Sequence, residues 1–140
     1  GALARMFELG HVSADELAWS QEIRTVAEKL ARDVTIGSFS LETRVDQSRS
    51  GQGASLEALG AVRAEIAYTS WRKDLPEAQL VLAIIVQDVS WRTAAERFHV
   101  GAVRAKKLLL EGLQAWPRHC RDARESVSEA DLVAAQAGLF

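Results

Sequence analysis

The chain has 140 residues, 48% of them hydrophobic and 26% charged, with a net charge of −2 and a single cysteine. That length sets one domain, or one domain with a mobile arm, and the composition is ordinary for a soluble globular protein. The longest apolar run, Leu80 to Val86, is far short of the roughly 18–20 residues of a membrane span.

The first residues lack the basic segment and apolar stretch of a signal peptide. The lone Cys120 excludes a disulfide within the chain and a cysteine zinc site. A reducing, cytoplasmic setting is therefore the expectation.

Leu3 to Leu9 reads as a short helix stopped by Gly10, which can adopt the left-handed conformation beyond a helix end. Ser13 opens a second helix, with Glu16 three positions on as its capping-box partner. Leu17, Ile23, Val26, Ala27, Leu30 and Val34 recur at helical spacing and predict one apolar stripe to about residue 34. Residues 1–34 thus form an N-terminal helical segment.

Residues 35–55, rich in Ser, Gly and polar side chains, have no sustained period and read as a flexible linker or arm carrying Arg44 and Arg49. Ser55 is placed to cap a third helix, Leu56 to about Lys73, with Leu56, Leu59, Val62, Ile66 and Trp71 inward. No run alternates long enough to argue for a sheet, so the expected class is all-α, a helical bundle.

The chemistry concentrates further along. Pro76 suits a first helical position, where its missing N–H costs nothing. Leu80 to Val86 is apolar nearly all round, as a helix covered on several sides must be. Asp88-Val89-Ser90 interrupts it, and Ser90 is placed to cap a short helix from Trp91 to about Phe98. His99 sits in a turn, and a second helix runs from Ala102 to about Trp116, with Pro117 marking its end.

Two helices across a short turn, with small Ala94 and Ala95 at the crossing, form a helix-turn-helix pattern over residues 56–117. Charge agrees. Residues 91–124 carry eight Lys and Arg against three acidic residues, whereas residues 1–90 carry nine against thirteen. A local basic block is what a phosphate-facing surface needs.

In this pattern the second helix lies in the major groove, with its N-terminal turns against base edges. The exposed positions are then Ala102, Val103, Arg104, Lys106 and Lys107, while Ala105, Leu108, Leu109 and Leu113 face inward. The Arg104 fork suits O6 and N7 of guanine. Lys106 and Lys107 suit phosphates. Arg92 and Arg97, on the supporting helix, position the protein rather than read sequence.

The run "LPEAQLVLAIIVQDVSWRTAAERFHVGAVRAKKLLLEGL", residues 75–113, resembles region 4 of bacterial sigma factors. Leu75-Pro76, Gln79, Leu82, Ser90-Trp91, Ala95, Phe98, Val100 and the closing leucines carry the likeness. The resemblance implies a promoter reader that also contacts RNA polymerase.

Two positions depart from the pattern. His99 stands where glycine is usual, and Gly101 where a Ser or Thr cap is usual. The aromatic, basic helix with which sigma factors melt promoters is also missing, so the chain does not read as a complete sigma factor. More loosely, the architecture resembles phage-derived transcription regulators such as those of gene transfer agents.

No nucleophile elbow, Gly-rich phosphate loop or His-Glu-x-x-His motif accompanies the Ser, His and Asp residues, so no enzyme, cofactor or metal is expected. His11, His99 and His119 are scattered. The four tryptophans read as packing anchors. Cys120 among Arg118, Arg121 and Arg124 predicts a lowered thiol pKa.

Residues 118–140 read as a tail whose short helix is capped by Ser126 and Ser128 and ends on Leu132, Val133, Ala135, Leu139 and Phe140. Such a tail docks on its own domain, on a second copy as a homodimer, or on polymerase. The expected function is a sequence-specific transcription regulator whose partner is double-stranded DNA. The alternative is a phage-type small terminase subunit or another helical interaction module.

Overall fold

The computed structural model describes the backbone of residues 1–35 and 52–136, and the side chains of residues 1–34 and 60–126. Among the described residues six helices follow in order: α1, Ala2–Glu8; α2, Ala14–Thr35; α3, Gln52–Asp74; α4, Ala78–Ile85; α5, Trp91–Arg97; and α6, Ala102–Gln136. The protein is an all-α bundle, with no strand among the described residues.

Of the expected linker 35–55, Thr35 belongs to α2 and residues 52–55 to α3, while residues 36–51, with Arg44 and Arg49, lie outside the described residues, as do Leu139 and Phe140. The side chains of Leu56, Leu59, Ser128, Leu132, Val133 and Ala135 lie outside them as well.

Local chemistry explains most of the helix ends. Gly10 has φ +80°. The His11 amide bonds back to the Met6 carbonyl at 2.8 Å and the Gly10 amide to Phe7 at 3.0 Å, a Schellman termination of α1. The Ser13–Glu16 capping box forms in both directions: the Ser13 amide donates to Glu16 Oε1 at 2.8 Å, and the Glu16 amide to Ser13 Oγ at 3.1 Å.

Ser90 caps α5 through the Thr93 amide at 3.2 Å. At its other end α5 repeats the termination of α1, with the Val100 amide on the Ala95 carbonyl at 2.9 Å and His99 on Glu96 at 3.3 Å. This closure requires φ +56° at His99.

α6 is the spine. Over its 35 residues it extends about 50 Å and packs against α2, α3, α4 and α5. Ala105, Leu109, Leu113, Trp116 and Ala123 bury one stripe along it. Trp71 of α3 is fully buried against this stripe, its ring at 85° to that of Trp116 with centroids 5.8 Å apart. The Trp71 indole N–H donates to the Gly112 carbonyl at 2.7 Å.

A Cβ on Gly112 would stand 3.1 Å from Leu75 and 3.5 Å from Val81. The absence of a side chain there is what lets α3 and α4 approach. α4 fills the middle, with every residue from Leu80 to Ile85 buried. Core residues from Leu3 to Ala27, Ala67 to Ile85 and Ala94 to Ala123 form one cluster.

Several sequence expectations need correction. α6 does not end at Pro117 but continues to Gln136. An interior proline forfeits one hydrogen bond and crowds the carbonyl four residues back, at a cost of about 3 kcal/mol. Burial of Trp116, His119 and Ala123 on both sides offsets it. Residues 118–136 are therefore not a tail with a separately capped helix, and Ser126 lies within α6.

Pro76 precedes α4 in a turn; the helix starts at Ala78 behind Glu77, which is left-handed at φ 52°. α3 starts at Gln52, so Ser55 is inside it rather than capping it. Its buried side is Ala67, Tyr68 and Trp71, leaving Val62 and Ile66 exposed. Val34, at the end of the predicted apolar stripe of α2, is 86% exposed.

Two substitutions test this account by urea denaturation. Gly112→Val drives methyls into Leu75 and Val81 and should cost about 1–3 kcal/mol by overpacking; unchanged stability would show that the approach is not tight. His99→Gly relieves the left-handed strain and should raise stability by up to about 1 kcal/mol.

Candidate nucleic-acid interface

Which side of α6 is available follows from which side the core takes. Ala105, Leu108, Leu109 and Leu113 are buried, as their spacing predicts. In the first two turns this leaves Ala102, Val103, Arg104 and Lys107 exposed. Val103 is 84% exposed.

Arg104 has no hydrogen-bond or ion-pair partner among the described residues. Lys107 lies 4.0 Å from Glu111, and both side chains are more than half exposed, so that pair holds the ammonium only weakly.

Lys106 is placed differently. It is half-buried, and its Nζ stands 2.8 Å from His11 Nδ1 in the turn between α1 and α2. An ammonium only donates, so the ring nitrogen accepts. The side chain therefore reaches back toward α1 rather than standing free for a phosphate. Sequence spacing does not reveal this, because His11 and Lys106 are 95 residues apart.

On α5, Arg92 is exposed with its guanidinium 5.1 Å from the centre of the Trp91 ring, a cation–π contact. Arg97 is exposed in the last turn, where a cation complements the helix dipole. Ala94 and Ala95 are buried where α5 meets α6, as the close crossing requires. Gly101 precedes α6 and its carbonyl accepts the Ala105 amide at 2.8 Å, but glycine offers no side chain to cap it.

Together these elements present one exposed helix start carrying Val103, Arg104 and Lys107, to which α5 adds two exposed arginines. Further along α6, Arg118, Arg121 and Arg124 are exposed too.

The described residues also join one Ser-His-Asp set that the sequence left apart. Ser70 Oγ lies 2.5 Å from His119 Nδ1, and Asp74 Oδ2 lies 3.6 Å from Nε2. The ring is 4% exposed. The clefts beside α1 and between α2, α3 and α6 are lined by other residues, so neither delivers a substrate to this hydroxyl. The set is a polar tie between α3 and α6. Reading the apolar stripe of α6 past Pro117 would have found His119 on the buried side.

No three His, Cys, Asp or Glu side chains among the described residues are grouped to hold a metal, and no described helix is long and apolar enough to cross a membrane.

Cys120 corrects its sequence expectation. Burial pushes its thiol up and the Glu22 carboxylate adds to this, while Arg124 alone opposes. Arg118 and Arg121, two positions before and one after Cys120, do not share its face of the helix. Only the thiolate reacts, so alkylation of Cys120 by iodoacetamide at about pH 7.5 should run slower than that of a free thiol and accelerate only at higher pH. A rate at or above that of free cysteine would contradict this burial. Comparison with known protein families, with curated proteins and with solved structures found no match for this chain.

Proposed function

We propose that the protein is a sequence-specific DNA-binding transcription regulator that acts without catalysis. In this reading α5 and α6 serve as a helix-turn-helix resembling region 4 of bacterial sigma factors. The observation that carries it is the exposed start of α6, where Val103, Arg104 and Lys107 face solvent while Ala105, Leu108 and Leu109 anchor the same turns in the core.

A helix so anchored can enter a major groove as a rigid element. Arg104 reads guanine through its paired donors. Lys107, Arg92 and Arg97 meet phosphates, and Lys106 joins them only by leaving His11. A regulator of bacterial promoters works in the cytoplasm, where that DNA is.

A second reading is a protein-docking module that binds RNA polymerase or another copy of the chain. The exposed Phe7 on α1 and Leu9 just after it favour it, since apolar side chains left in water suit a protein contact.

The deciding experiment retains random duplex DNA on the purified chain at two salt concentrations and sequences what is bound. An enriched motif is expected. Arg104→Ala should relax preference at one base pair by about 1–3 kcal/mol, while Lys107→Ala should weaken all sequences alike and flatten the salt dependence. No retention at low salt by the folded chain would overturn the DNA reading in favour of the docking module.

A further inference from the structure

The first turns of α6 expose a restricted set of side chains. Between Gly101 and Leu110 there is no Asn, Gln, Asp, Glu, Ser or Thr. Adenine is read by a carboxamide that bonds N6 and N7 together, and cytosine by a carboxylate that accepts from N4. Neither group is available here. Glu111, the first carboxylate, stands about 13 Å along the axis from the start of the helix, beside Lys107.

Arg104 leaves guanine as the one base that can be recognised by hydrogen bonds. Apart from Lys107, which is assigned to phosphate, what remains exposed is apolar. Val103 holds two methyl groups in solvent at 84% exposure, next to exposed Ala102, and it lies apart from the buried cluster formed by its inward neighbours. In the major groove the apolar feature of a base edge is the C5 methyl of thymine.

Resting on the DNA reading above, we infer that Val103 is a specificity determinant that recognises thymine by its methyl group, beside the guanine held by Arg104. Val103 and Arg104 are adjacent and rise only about 1.5 Å apart along the helix, so the two bases stand within about one or two base pairs of each other. Val103 and Lys107 share a face one turn apart. The ammonium therefore tracks the backbone beside the same thymine.

The test uses the full chain and the DNA motif returned by the random-pool selection. That site is resynthesised with each thymidine in turn replaced by deoxyuridine, which removes one methyl and leaves base pairing intact. The expected result is one thymidine whose replacement weakens binding about fourfold, the equivalent of burying one methyl at about 0.8 kcal/mol. Val103→Ala should bind the parent site more weakly and lose its preference for thymidine over deoxyuridine there. Its exposure predicts an unchanged thermal midpoint.

Deoxyuridine tolerated at every position, or a penalty that survives Val103→Ala, would overturn the inference while leaving the DNA reading intact. A folded chain that selects no motif would overturn both.

Discussion

The contact on which the rest of the structure depends is the approach of Trp71 to Gly112. An indole buried against a helix backbone removes a large apolar surface from water, and truncating such a side chain typically costs about 3–5 kcal/mol. Here the indole N–H also finds a partner in the Gly112 carbonyl at 2.7 Å, so burial leaves no orphaned donor. The same glycine gives Leu75 and Val81 room. One position thus seats both α3 and α4 on the spine, and the spine carries the exposed turns of α6.

Presentation of those turns depends on backbone conformations that side chains rarely adopt. The chain must reverse between α5 and α6 within a few residues, and His99 does so at φ +56°. Histidine tolerates this better than a branched residue does, but not as cheaply as glycine. Phe98 and Val100 pack on the core from either side of the turn. Their burial holds the strained residue in place, so the geometry at the start of α6 is set by packing rather than by the preference of the turn itself.

The N-terminal helices belong to the same construction. Glu16 closes the capping box of α2 with one oxygen and accepts from Gln114 of α6 with the other at 3.2 Å, while Trp116 donates to Glu22 at 3.0 Å. His11 then takes Lys106 from the face to which sequence spacing assigns it. α1 and α2 therefore shape the basic surface of α6: they subtract one cation and leave Arg104 and Lys107 exposed.

The sequence alone determined what rests on local chemistry. The capping box at Ser13, the stop at Gly10, the cap at Ser90 and the inward stripe from Ala105 to Leu113 all follow from neighbours within a few residues, where spacing and side-chain type suffice. Only the tertiary structure decided the rest. Pro117 remains helical because distant partners bury Trp116 and His119, a gain that local propensity does not include. The exposure of Val62 and Ile66 on α3 and of Val34 on α2 is likewise set by packing rather than by spacing. The pairing of His11 with Lys106, the meeting of Ser70 with His119 and the burial that raises the Cys120 thiol all join or cover groups far apart in the chain. Periodicity marks which face of a helix is apolar, but what covers that face, and how far along, is fixed only when the helices pack.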